Sequence, residues 1–265
     1  MLFVIDIGNS HTVAGLYEDD RLVGQWRLKS DRNNTADELA ISYSTLFAMA
    51  GIDARRITDI VIASVVPKLE TAWVNCCREH LAANLRQSPL IISAATVGGL
   101  ITIRTDNPGE VGADRLVNGI AAWDHYRSDL IVIDFGTAIT FDCVTARCEY
   151  IGGIIFPGIG ISLEALATRT AKLPHIDVAA RSEKLIGTTT VEAMRSGILF
   201  GYGAMIDGLV KGIGREMAGE GNTVEVIATG GMAELISPYA ELITHIEPNL
   251  TLEGLRIIYE KIRNR

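Results

Sequence analysis

The sequence predicts an α/β chain built of two related halves, each with a mixed sheet flanked by helices, and three observations carry that expectation. The first is a repeat. LFVIDIGNSHTVAGLY (residues 2–17) returns as LIVIDFGTAITFDCV (residues 130–144), and an offset of 128 residues superposes Asp6 on Asp134, Leu2 on Leu130, Val4 on Val132, Gly8 on Gly136 and Thr12 on Thr140. The second is the form of each copy: an apolar run ends in aspartate, a glycine stands two residues on, and small polar residues lead into another apolar run, which reads as strand, tight turn, strand. The third is the alternation of helical spacings with short β-branched runs after each hairpin. A chain of 265 residues holds one large or two modest domains, and the duplication favours two, divided as residues 1–117 and 118–265.

Taken in order, the first half opens with the two strands around Asp6 and a third over residues 21–29. Thr35 and Glu38 form a capping box, after which Leu39, Tyr43, Leu46 and Ala50 recur at helical spacing until Gly51. Residues 59–66 (DIVIASVV) are apolar and β-branched, as in a strand buried on both faces; Pro67 stops it and starts a helix toward Ala83. A further strand is expected over residues 89–93. In the second half the third strand covers residues 151–156, the turn PGIGIS leads into a helix over residues 162–171, and Thr189 with Glu192 offers a second capping box. A long helical pattern then spans residues 191–217, and its glycines permit close packing, for instance against a second subunit. Residues 225–228 read as a buried strand, Thr229–Gly231 as a turn, 232–236 as a short helix and 252–262 as a closing amphipathic helix.

Composition narrows the function classes. With 48% hydrophobic and 21% charged residues the chain can bury a sizeable core, and no apolar run reaches the roughly 18 residues a membrane span needs. The opening residues lack the basic region and cleavage site of a secretion signal, so a cytoplasmic protein without a membrane partner is expected. A net charge of -8 argues against nucleic acid as a partner, because phosphate backbones are held by clustered Lys and Arg. Cys76, Cys77, Cys143 and Cys148 lack paired CxxC spacing and read as buried free thiols.

Three glycine-bearing turns come directly after apolar runs, at Asp6, Asp134 and Thr229. One Asp-x-Gly alone reads as a plain hairpin turn. The pair, together with a late Thr-Gly-Gly, favours nucleotide binding: a carboxylate at a strand end can hold a hydrated cation, and glycine lets backbone N–H groups approach phosphate. The stretch NPGEVGADR (residues 107–115) ends at a helix start, where Asp114 is either an N-cap beside a surface arginine or a proton acceptor beside an anion-binding Arg115. His11 could touch phosphate or simply pack, His175 is a loop residue or a substrate contact, and Thr188, Thr189 and Thr190 supply one cap and a spare hydroxyl.

DIGNS, NPGEVGADR, DFGTA, GGIIFPGI, GTTT and ATGG occur in an order that resembles the type III pantothenate kinases, over essentially the whole chain. The resemblance implies two ribonuclease-H-like domains of the actin-like ATPase superfamily, to which acetate and sugar kinases belong. It also implies a homodimer that phosphorylates pantothenate with ATP at the 4′-hydroxyl, the first committed step of coenzyme A synthesis. Carried over by position, Asp6, Ile7, Gly8, Asn9, Ser10, His11, Thr12 and Val13 match the ATP phosphate loop, with Asp6 toward magnesium. Gly112, Ala113, Asp114 and Arg115 match the pantothenate segment and Asp114 the catalytic base. Asp134 matches the ligand of a monovalent cation, potassium or ammonium, Thr137 an ATP contact, and Thr190 a pantothenate contact supplied across the dimer. Ser10 stands where the family usually has threonine and keeps the hydroxyl. Thr105 stands where many members have a substrate-contacting tyrosine, so the ring is lost. A different small-molecule kinase on this fold, a transcription accessory factor and an actin-like filament protein are the competing expectations; the acidic balance and the intact Asp114 speak against the second.

Overall fold

In the computed structural model, residues 1–81, 85–178, 181–218 and 224–263 are described. The chain forms two compact units, one of Met1–Ala121 with Leu250–Arg265 and one of Ala122–Asn249.

The first unit begins with the antiparallel strands β1 (Leu2–Ile7), β2 (His11–Glu18) and β3 (Arg21–Lys29), followed by α1 (Ala36–Met49), β4 (Asp59–Ser64), α2 (Pro67–Cys76), β5 (Leu90–Ile91), α3 (Ala94–Val97) and β6 (Thr102–Ile103). Helix α4 (Ala113–Tyr126) carries the chain across the boundary between the units. Its sheet runs β3-β2-β1-β4-β5, antiparallel on one side of β1 and parallel on the other. β1 and β4 are buried on both faces, which is why their sequences are continuous apolar runs without alternation. The capping box forms as its spacing predicts, Thr35 N donating to Glu38 Oε2 at 2.8 Å and Glu38 N to Thr35 Oγ1 at 3.3 Å. Helix α1 then packs Tyr43 and Phe47 onto Phe3, and Tyr43 meets Trp73 of α2 edge-on at 4.7 Å. Such edge contacts favour fixed ring positions over loose apolar burial. Beyond Cys76 the expected helix widens into a π-helical turn over Cys77–Leu81, and its expected end at Ala83 lies outside the described residues. All four cysteines are buried free thiols; burial beside Asp37 and Glu79 pushes the Cys76 thiol up to about 12, so it stays protonated and unreactive.

The second unit repeats the plan with β7 (Leu130–Phe135), β8 (Ala138–Val144), β9 (Glu149–Pro157), α5 (Ile159–Arg169), α6 (Thr190–Ala218), β10 (Glu225–Thr229), α7 (Ala233–Ile236) and β11 (His245–Ile246). Its strands take the order β9-β8-β7-β10-β11, the first sheet's order with the same parallel and antiparallel senses. The ladders correct the sequence superposition in one respect. Asp6 pairs with Val13 but Asp134 pairs with Thr140, so the second turn is one residue shorter. Thr140 therefore shares a face with Asp134, whereas Thr12 shares one with Ile7. Asp142 lies fully buried within β8, accepting hydrogen bonds from Thr140 Oγ1 at 2.9 Å and Tyr150 Oη at 2.8 Å. Helix α5 starts at Ile159, three residues ahead of expectation, because Gly158 caps it and Ser162 N already donates to Gly158 O at 3.0 Å.

The last helix, α8 (Leu250–Arg263), belongs to the first unit, not to the second half as the simple division at residue 118 has it. Leu250, Leu252, Leu255, Ile257 and Ile258 are buried, and a Cβ on Gly254 would lie 2.7 Å from Val117. Thr251 Oγ1 donates to Asn118 Oδ1 at 2.8 Å, and Arg263 Nη2 donates to the buried Asp59 at 2.5 Å. Arg86 stands 3.8 Å from the same carboxylate. Removing Arg263 leaves a buried carboxylate with the Thr58 hydroxyl at 2.9 Å and one distant cation. Arg263→Ala is therefore expected to lower stability by about 1.5–3 kcal/mol in urea unfolding, whereas Arg55→Ala, which breaks an exposed pair with Asp53, is expected to leave the midpoint unchanged.

Candidate active site

In the first unit the site is built on the carboxyl end of β1. Asp6 is flanked there by Val13 on the antiparallel side and Ala63 on the parallel side. The three-residue turn Gly8, Asn9, Ser10 closes with Gly8 N donating to His11 O at 3.1 Å. Its far side is pinned by Ser30, whose N–H donates to Ser10 O at 3.0 Å and whose hydroxyl meets Thr12 Oγ1 at 2.9 Å in a buried contact. His11 is exposed at the start of β2. The expectation overlooked Arg32, whose Nη2 donates to Asn9 Oδ1 at 2.9 Å. Its one sequence signal is the polar run SDRNN between strand and capping box.

The chain leaving β4 joins this turn to the segment at residues 112–115. Val65 N donates to Ile7 O at 3.1 Å, and a Cβ on Gly112 would sit 3.6 Å from Val65 Cγ1. The strand end after Asp6 and the segment Gly112–Arg115 thus both approach Val65. Asp114 is not the N-cap that one sequence reading allowed. It is the second residue of α4, half-buried, and its Oδ1 accepts from Arg115 N at 2.8 Å. That oxygen would lie 2.5 Å from any Cβ at position 112, so a side chain there would push the carboxylate out of place. Burial raises the Asp114 carboxyl above its ordinary value, opposed by the Arg115 N–H, the Arg115 charge and its own backbone N–H. Arg115 is half-buried too, not a surface arginine. Thr105 Oγ1 is buried with no hydrogen-bond partner among the described residues.

In the second unit the equivalent strand end presents Asp134, flanked by Thr140 and Thr229. The two-residue turn Gly136, Thr137 closes with Gly136 N donating to Ala138 O at 3.1 Å, and Gly158 N donates to Thr137 O at 3.2 Å. Two glycines are required by close approach. A Cβ on Gly158 would lie 2.2 Å from Thr137 O, and one on Gly230, at φ +90, would lie 2.4 Å from Asp134 Oδ1. The Thr-Gly-Gly turn therefore lies directly on Asp134. Thr137 is exposed. Thr190 is the first residue of α6, and it is Thr189 that caps this helix, accepting from Glu192 N at 3.2 Å. Glu192 in turn accepts from Thr188 N at 2.9 Å and Thr189 N at 3.2 Å, which leaves Thr190 exposed and outside the cap. His175 is exposed in the coil after α5.

The chain's likeness to known proteins lies in family and fold. The model of the type III pantothenate kinases matches residues 2–212. The chain is 58% identical over 265 residues, all of both chains, to the type III pantothenate kinase of Desulfotalea psychrophila. Among solved structures, a Campylobacter jejuni protein described as a Baf family transcriptional activator superposes with a TM-score of 0.61 at 18% identity, over 99% of this chain and 100% of that one. A Sinorhizobium meliloti protein described as a 2-dehydro-3-deoxygalactonokinase gives 0.57 at 13% identity, over 99% and 97%. At such identities likeness speaks for fold alone, here the two mixed sheets of the actin-like ATPase class. With a family model over most of its length and a relative this similar over all of it, the chain belongs to the type III pantothenate kinase family.

Proposed function

We propose that this chain transfers the γ-phosphoryl group of ATP to the 4′-hydroxyl of pantothenate, the first step of coenzyme A synthesis. The observation that carries the proposal is Asp114, a half-buried carboxylate at the start of α4, tied through Gly112 and Val65 to the end of β1. Phosphoryl transfer asks the protein for alignment and charge neutralisation and for little covalent chemistry. The turn beyond Gly8, whose own N–H closes the hairpin on His11 O, supplies backbone N–H groups for the triphosphate, Asp6 and Val13 bound it, and Thr137 gives a further ATP contact. Gly112, Ala113 and Arg115 hold pantothenate, whose carboxylate suits the Arg115 fork. Thr105 offers its buried hydroxyl, and Thr190 adds a hydroxyl from a second copy.

Asp114 aims the attacking hydroxyl and takes its proton late. Even raised, its carboxyl is far too weak a base to form free alkoxide first. Among the described residues no three His, Cys, Asp or Glu side chains converge. Asp6 alone suits a magnesium ion that keeps water ligands and is shared with the phosphates. Magnesium, when bound, neutralises charge on the β- and γ-phosphates. Asp134 fits a monovalent cation, since its Oδ1 lies where only glycine can stand at position 230. A homodimer is supported by α6 and the chain before it. Leu185 and Ile186 are 67% and 81% exposed beside a groove lined by Gly197, Phe200 and Gly201, an apolar surface that a second copy would cover.

The deciding test is ADP release measured with and without pantothenate. Release that ignores pantothenate, or that other small alcohols elicit equally well, would overturn the proposal. Asp114→Asn is expected to reduce kcat by about 10²–10⁴-fold while still binding ATP. The same substitution is expected to raise the melting temperature at neutral pH. An acid whose folded pKa lies above its ordinary 3.8 weakens the fold as pH rises from there through the folded value, and the weakening persists above it. The amide removes that penalty, so the gain should vanish below pH 3.8; a loss of stability at pH 7 would contradict it. Replacing potassium by sodium is expected to lower turnover in the wild type, checked in buffers of equal ionic strength, and indifference to the swap would remove the cation role from Asp134.

A further inference from the structure

Arg32 lies outside every motif that carries the family resemblance, yet it is fastened to the middle of the phosphate turn. A guanidinium has donors only, so its 2.9 Å contact with Asn9 is made to the amide oxygen. That contact decides which way the Asn9 amide faces. With Oδ1 turned to Arg32, the NH2 end is the donor left for an anion at the turn. The segment that carries Arg32 is itself held on both sides. Before it, Ser30 is bonded to Ser10 and Thr12 at 3.0 and 2.9 Å. After it, Asp31 Oδ1 accepts from Asn33 N at 2.9 Å, Asp31 O accepts from Asn34 N at 3.1 Å, and Lys68 Nζ, from the first turn of α2, donates to Asn33 Oδ1 at 3.0 Å. Neither Arg32 nor Lys68 pairs with a carboxylate among the described residues. Each cation thus engages an amide oxygen, Asn9 for Arg32 and Asn33 for Lys68, and not a carboxylate.

We infer that Arg32 is a positioning residue for the nucleotide: it fixes the Asn9 amide with its donors toward the terminal phosphates, and Lys68 fixes, through Asn33, the loop that holds Arg32. The inference rests on the assignment of Asp6–Val13 to ATP. In the ATP-saturation kinetics of the full-length chain, Arg32→Ala is expected to raise KM for MgATP about tenfold or more, with KM for pantothenate and melting temperature unchanged. Asn9→Ala is expected to do the same, and adding Arg32→Ala to it should change little further, because one substitution already removes what the other positions. Arg32→Lys, which keeps a donor and the charge, should recover part of the loss. An unchanged KM for MgATP in Arg32→Ala, fully multiplicative effects in the double variant, or a fall in melting temperature that accounts for the whole loss would each overturn the inference. Calorimetric titration of the wild type with MgATP separates the two levels. Normal binding and turnover with an indifferent Arg32→Ala removes only the role of Arg32, whereas no binding by the wild type removes the nucleotide assignment and this inference with it.

Discussion

In each unit the strand end that carries Asp6 or Asp134 depends on the pairing of one strand. β1 is antiparallel to β2 and parallel to β4, and β7 stands in the same relation to β8 and β10. A parallel neighbour can be reached only by a crossover, here through α1, so the chain leaves β4 at the same end at which it leaves β1. The hairpin turn, the exit of β4 and the start of α2 are therefore delivered to one end without any residue there having to attract another. Asp6 and Asp134 are the last polar residues before those ends, and placing a carboxylate there takes a single position in an otherwise apolar run.

The two copies of this device differ by one residue, and the difference changes how open each turn is. Three residues at Gly8–Ser10 leave an open turn edged by Arg32 and His11. Two residues at Gly136–Thr137 make a tighter one, and the backbone of Gly158 occupies its flank while Gly230 presses on Asp134. The proposed nucleotide role uses the openness of the first turn, and the proposed cation role uses the backbone enclosure of Asp134.

Much of this was legible in the sequence because it is local. Apolar runs such as residues 59–64 and the capping boxes at Thr35 and Thr189 carry their own physical reasons, and so does the hairpin at each aspartate. The features that escaped are long-range or depend on register. The apolar stripe of α8 says that one face is buried, but not that β1, β2 and β4 of the first unit cover it. Aligning Thr12 with Thr140 by identity ignores a ladder slip that no single-strand pattern contains. The contact of Arg32 with Asn9 joins two exposed polar loops 23 residues apart, where neither periodicity nor burial leaves a trace. Asp114 reads as a cap because aspartates at helix starts usually are; it stands instead as the second residue of α4, with its Oδ1 so close to Gly112 that a Cβ there would lie 2.5 Å away.

The return of α8 to the first unit also sets an order of events during synthesis. β1 to α3 leave the ribosome early, but the helix that buries Leu250, Leu255 and Ile258 in that unit, and whose Arg263 meets Asp59, is made only after the whole second unit. Until then the first unit lacks part of its apolar cover and the nearer of the two cations at Asp59, while the second, continuous from Ala122 to Asn249, already has its full set of strands. The unit that carries Asp6 and Asp114 is thus the one completed last, so a nascent chain cannot finish it before its companion exists.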